Sequence, residues 1–183
     1  MESSTEAERK FYFNFSFFKV DPKWRWMADL AKEESAKEVE NVIGNSGIRF
    51  RSYSTLGLRD DADFMFWFAE ESVEEIQTAI SKLYLTVFGK YITPSHVYLS
   101  STRPSIYAKT GKVPSFVAGE EARQYVIVYP FIKTREWYLL PVQQRQKLME
   151  EHIEVGKSYP QVVLNTTYSF GIHDEDFMLA FSV

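Results

Sequence analysis

The sequence predicts an α+β protein made of tandem ferredoxin-like repeats, with the second repeat cut short. Three observations carry this. A hairpin sequence occurs twice, first as Tyr53-Ser54-Thr55-Leu56-Gly57-Leu58-Arg59-Asp60-Asp61-Ala62-Asp63-Phe64-Met65-Phe66-Trp67-Phe68. It returns as Tyr168-Ser169-Phe170-Gly171-Ile172-His173-Asp174-Glu175-Asp176-Phe177-Met178-Leu179-Ala180-Phe181. Self-similarity of this length marks a duplicated unit. Upstream of each hairpin a strand pattern precedes a long helical one, so each half opens β-α-β-β. Only the first half goes on to a further helix and strand, which completes the ferredoxin-like order.

Taken in chain order, Glu2 to Arg9 is polar, and residues 1–10 are expected to be a disordered lead-in. Phe11 to Val20 alternates aromatic and small polar residues, the pattern of a strand with one buried face. Asp21 as N-cap and Pro22 at the first helical position start a helix expected to run to Ile43 and to stop at Gly44-Asn45. After the first hairpin, Ser72 opens a helix to Tyr84, with Glu75 at the capping-box position. His96 to Ser100 is the closing strand, and residues 11–100 form the N-terminal unit. Residues 101–123 contain Pro, Gly and Ser without periodicity and read as a linker, of a length that usually carries function or covers a site. In the C-terminal unit, 124–183, Gln124 to Pro130 is the first strand and Pro141 to Tyr159 the long helix. Only Ser182 and Val183 follow Phe181, so the unit lacks its last helix and strand. A natural end there would leave a sheet edge and an apolar face uncovered, and a truncated unit is expected instead.

Composition narrows the function. The 183 residues, 45% hydrophobic and 16% aromatic, suffice for two small cores. A net charge of −4 without a basic run argues against nucleic acid. The absence of cysteine excludes disulfides, thiolate metal sites and cysteine nucleophiles. No apolar stretch is long enough to cross a membrane as a helix, and Met1 to Lys10 has no signal-peptide core. A cytoplasmic protein with neither nucleic-acid nor membrane partners is expected. No nucleophile elbow, phosphate-cradling glycine loop or paired helix carboxylates support a hydrolase, kinase or dinucleotide-binding reading.

Three histidines remain: His96, His152 and His173. His173 lies in a polar turn whose counterpart in the first repeat is Arg59 or Asp60, and His96 has no acidic partner nearby in sequence. His152 shares a helix face with Leu148, Val155 and Tyr159, at i, i+4, i+7 and i+11, and is expected to point into the apolar interior of the C-terminal unit. The bland explanation is a core histidine bonded to backbone. No second histidine stands at metal spacing, so a closed zinc or di-iron site is poorly supported, whereas one imidazole in an apolar cavity suits haem. Tyr129, Lys133, Arg135 and Trp137 cluster at the end of the first strand of this unit, where they could bind carboxylates and offer oxidisable rings. Arg103 and Tyr107 are further possible carboxylate donors.

These residues resemble the chlorite dismutase and coproheme decarboxylase family of haem proteins. The likeness rests on Phe15-Ser16-Phe17-Phe18-Lys19-Val20-Asp21-Pro22-Lys23-Trp24, on Tyr129-Pro130 with Lys133 and Trp137-Tyr138, and on Arg145, Leu148-Met149 and His152 followed by Gly156 and Tyr159. The Gly171 turn before Asp176-Phe177 completes it. The resemblance implies a tandem ferredoxin-like fold of the dimeric α+β barrel type, a homo-pentamer or alternatively a hexamer, and a haem in the second unit. It assigns His152 as proximal iron ligand, Tyr129 as the tyrosine that oxidises a propionate in the decarboxylases, Lys133 as the lysine beside it and Trp137 as an aromatic near the haem. Chlorite-splitting members carry a distal arginine after the proximal histidine. Here that position falls at Asn165, or at Leu164 if one residue is deleted, and no arginine follows Arg145. Efficient oxygen production from chlorite is therefore not expected. The implied activity is decarboxylation of iron coproporphyrin III to haem b with hydrogen peroxide, the iron porphyrin being both cofactor and substrate. A general haem-dependent peroxidase with weak chlorite activity, and a haem-binding or structural barrel without turnover, are the alternatives.

Overall fold

The computed structural model describes residues 9–107 and 114–183. Most of the expected lead-in (1–8) and part of the expected linker (108–113) lie outside the described residues. The chain divides into two compact units, Phe11–Leu99 and a C-terminal unit containing Ser100–Val183.

The N-terminal unit contains β1 (Tyr12–Val20), α1 (Pro22–Arg25), α2 (Asp29–Val39), β2 (Arg49–Ser54), β3 (Phe64–Glu70) and α3 (Val73–Leu85). β4 (Ile92–Ser101) begins in this unit and ends in the next. Its strand order is β2-β3-β1-β4, with β3 antiparallel to both β1 and β2. Phe18, Val20, Phe66 and Phe68 of the sheet bury against Ile76, Ala79 and Leu83 of α3, which recur at helical spacing. The single buried face expected from the alternation in β1 is corrected: Phe13, Asn14, Phe15 and Ser16 are buried in succession, so the small polar residues of β1 are covered as well as the aromatic ones.

Two helix expectations are corrected. The first helical stretch is not continuous: Trp26 to Ala28 interrupts it, and Glu40–Gly44 closes α2 with a π-helical turn. Asp21 does cap α1, accepting from Lys23 N at 2.8 Å. The break lets Trp24 sit edge-on against Phe88, with centroids 5.2 Å apart, and donate to Ser35 Oγ at 3.4 Å. At α3, Ser72 makes no capping-box bond to Glu75; its hydroxyl donates instead to Glu74 Oε2 at 2.7 Å.

The C-terminal unit contains β5 (Val126–Phe131), α4 (Arg135–Leu139), α5 (Val142–Lys157), β6 (Val163–Tyr168) and β7 (Phe177–Ser182). Its strands run β6-β7-β5, all neighbours antiparallel, which reproduces β2-β3-β1 of the first repeat. α4 has no counterpart in the sequence expectations; Thr134 caps it, accepting from Trp137 N at 3.3 Å.

The duplication holds at the level of atoms. In both hairpins a glycine takes positive φ, +76° at Gly57 and +74° at Gly171, where side chains are disfavoured. Leu58 N bonds to Thr55 O at 2.9 Å, and Ile172 N to Ser169 O at 2.8 Å. Thr55 N bonds to Asp63 O and Ser169 N to Asp176 O, both at 2.9 Å. The bridge partners Leu56–Arg59 and Phe170–His173 equate His173 with Arg59, leaving the extra residue of the first turn further on.

Candidate functional site

Directly opposed residues of an antiparallel pair share a face. Thr167, Met178, Ala180, Ser182 and Asn165 fall on one face of the C-terminal sheet and are buried. The other face carries Ile127, Tyr129 and Phe131 of β5, Phe177, Leu179 and Phe181 of β7, and Leu164 of β6, and is half-buried to exposed. Tyr129 stacks on Phe181, with centroids 5.8 Å apart and planes 16° apart.

This register separates the two positions considered for the distal residue. Leu164 stands on the Tyr129 face and is 43% exposed. Asn165 is on the buried face, where its Oδ1 accepts from Ser115 N at 2.9 Å and Ser115 Oγ at 3.0 Å. Asn165 is thus committed to holding the segment around Ser115 and buried Phe116.

Lys133 stands two residues beyond the end of β5. Its ammonium lies 3.9 Å from the centroid of the Trp137 ring, 5.4 Å from that of Tyr107 and 5.7 Å from that of Phe177, within cation–π range. Lys133 Nζ also donates to Met149 Sδ at 3.6 Å. Burial, then the charge of Arg145, push the Lys133 amine below its ordinary value, with Asp176 opposing. Arg145 Nη1 donates to the Tyr107 hydroxyl at 3.4 Å. The corner from β5 into α4 is held by Asp176, whose Oδ2 accepts from Lys133 N at 3.0 Å and from the Tyr138 hydroxyl at 2.7 Å. Tyr107, Lys133 and Trp137 are therefore brought together. Arg103 is exposed.

His152 corrects an expectation. It lies on α5 one turn beyond Met149, on the stripe running from Arg145 through Leu148 and Met149 to Val155, but it is exposed; α5 ends at Lys157, so Tyr159, expected on the same face, lies beyond the helix. α5 buries no residue at all, and Leu148, Val155 and Tyr159 are 42%, 59% and 55% exposed. Helical periodicity states which residues share a face, not whether protein covers it. His96, with no acidic partner near it in sequence, meets one in the fold: its Nε2 lies 2.8 Å from Asp61 Oδ2, with Arg59 on the same carboxylate. His173 is exposed in the hairpin.

Sequence inspection missed Arg145 and Asp176 as members of this cluster. Arg145 stands seven residues before His152, two helical turns along the same stripe, which is a usable signal. Asp176 is signalled by its repeat counterpart Asp63, whose Oδ2 accepts from Val20 N at 2.8 Å.

One exposed imidazole on an apolar helix stripe, an aromatic sheet face and two neighbouring cations fit a flat, apolar, acid-bearing iron ligand better than a multi-ligand metal centre. Among the described residues no group of three or more His, Asp or Glu could hold a metal ion, and no helix is long and apolar enough to cross a membrane.

The fold is that of a two-repeat α+β protein, and the candidate site lies in its second repeat. The family described as chlorite dismutase matches residues 32–183, and the chain belongs to it. Members of that family are haem enzymes. The chain is 35% identical over 176 residues to coproheme decarboxylase from Mycolicibacterium smegmatis, covering 93% of this chain and 74% of the relative. Among solved structures, an arginine-to-lysine variant of chlorite dismutase from Candidatus Nitrospira defluvii superposes with a TM-score of 0.84 at 26% identity, covering 96% of this chain and 77% of that one. The same enzyme in complex with imidazole gives 0.82 at 27% identity, covering 94% and 76%. The chain thus spans about three quarters of the relatives it matches.

Proposed function

We propose that this protein binds an iron porphyrin through His152 and converts iron coproporphyrin III to haem b with hydrogen peroxide. The observation that carries this is Tyr129, an oxidisable phenol on the exposed aromatic face of the sheet that ends in the Lys133 cluster. The similarity to a coproheme decarboxylase supports the same reading. Bound iron would supply peroxide activation; each of two propionates would lose its carboxyl group as carbon dioxide and become a vinyl group, with one peroxide becoming two waters each time.

The chain's own residues have separable tasks. His152 offers an imidazole nitrogen from α5, exposed among the described residues. Tyr129 offers the phenol. Lys133, held by its backbone on Asp176, is an ammonium whose lowered pKa lets it give up its proton more readily than an exposed lysine. Trp137 and Tyr107 form the walls around it. A leucine on the Tyr129 face at Leu164 places no cation there to hold chlorite, which favours decarboxylation over chlorite splitting. A cytoplasmic homo-pentamer is the assembly that goes with this reading, with a hexamer as the alternative.

Comparing Tyr129→Phe with wild type tests the assignment. The variant should bind iron coproporphyrin III normally and convert little of it. Full conversion would remove Tyr129 from the reaction. Haem b bound tightly, with small phenols oxidised faster than coproporphyrin is consumed, would favour a general peroxidase.

A further inference from the structure

Arg145 is poorly satisfied for a half-buried cation. Its Nη1 reaches the Tyr107 hydroxyl at 3.4 Å, while its Nε is buried with no hydrogen-bond partner. No carboxylate pairs with it among the described residues, and the charge it acts on most clearly is another cation, Lys133. Lys133 in turn has sulfur and aromatic rings about its ammonium but, among the described residues, no oxygen acceptor. The carboxylate that faces the pair, Asp176, already accepts two hydrogen bonds at Oδ2. The acidic residues of α5 are engaged elsewhere or turned off the stripe: Glu150 accepts from Gln146 and Glu154 from Lys157.

Two adjacent half-buried cations that share no carboxylate carry a desolvation and repulsion cost that an anion joining them would offset. Simple snorkelling would leave the guanidinium in water, yet Nε is buried. A guanidinium presents paired donors matched to the two oxygens of a carboxylate. We propose that Arg145, beside Lys133, is a carboxylate-binding residue that takes an acid side arm of the porphyrin. This rests on the porphyrin-binding reading above and adds the residue that orients the ligand by its charge, two helical turns from His152.

The test compares ferric coproporphyrin III with its tetramethyl ester, using Soret absorbance to measure affinity for wild type, R145Q and R145K. R145Q should weaken the acid about tenfold or more, the ester by less than about twofold, and R145K should recover part of the loss, as expected for a charged hydrogen bond. Equal losses for acid and ester, or no loss for either, overturn the assignment. If wild type binds neither porphyrin, the functional reading fails independently. Acetate titrated into porphyrin-free protein then decides, followed by tryptophan fluorescence with W137F as control. A Trp137 response that R145Q abolishes keeps an anion site for free carboxylates; no response in wild type removes it.

Discussion

Asp176 accepts the backbone N–H of Lys133 at 3.0 Å, as Asp63 accepts that of Val20 at 2.8 Å in the first repeat. The duplication has kept one device, a carboxylate from the hairpin end clamping the end of the neighbouring strand, and has put different side chains on the clamped residue. In the first repeat Val20 adds to a core. In the second, the same backbone position aims a lysine at Trp137.

That clamp predicts a pH signature. Burial first, and then the hydrogen bond and charge of Asp176, raise the Tyr138 phenol well above its ordinary value of 10.0. A folded-state pKa above the unfolded one contributes stability fully present below about pH 10 and lost as pH rises through the folded value. Asp176→Asn should bring the Tyr138 titration down toward its ordinary value, read by tyrosinate absorbance against a Tyr138→Phe control. An unchanged titration would mean that burial alone sets it.

Asn165→Ala should cost about 1–3 kcal/mol, because it leaves the buried Ser115 N–H without its acceptor. Urea denaturation measures this. A change under about 0.5 kcal/mol would show that the Ser115 segment is not held through Asn165.

His152→Ala should leave folding within about 0.5 kcal/mol of wild type, since the side chain is exposed, yet abolish tight iron-porphyrin binding. Unchanged porphyrin absorbance and affinity would make His152 an ordinary surface residue.

A Cβ on Gly89 would stand 2.2 Å from Leu83 O and 2.8 Å from backbone atoms of Tyr84. Gly89→Ala is therefore expected to lower stability by about 1–3 kcal/mol, seen as a drop of several degrees in the thermal midpoint. An unshifted midpoint would show that the turn relaxes freely.

The hairpins were legible because their requirements are local: a glycine for positive φ and an aspartate at the strand entry. Strand order in the second repeat followed from the first. The break at Trp26–Ala28 was not legible, since neither glycine nor proline marks it. Asp61 meets His96 only once strands far apart in sequence have paired, and Arg145 meets Tyr107 only across the same kind of distance. The stripe through His152 was read correctly as apolar, but its exposure depends on what lies against α5, which periodicity does not encode.

The most direct measurement is the mass of the porphyrin after the protein is mixed with ferric coproporphyrin III and hydrogen peroxide. Stepwise loss of two carboxyl groups, ending at haem b, is the predicted result. Porphyrin bound through His152 and recovered with its mass unchanged would contradict the decarboxylase and leave a peroxidase or a carrier.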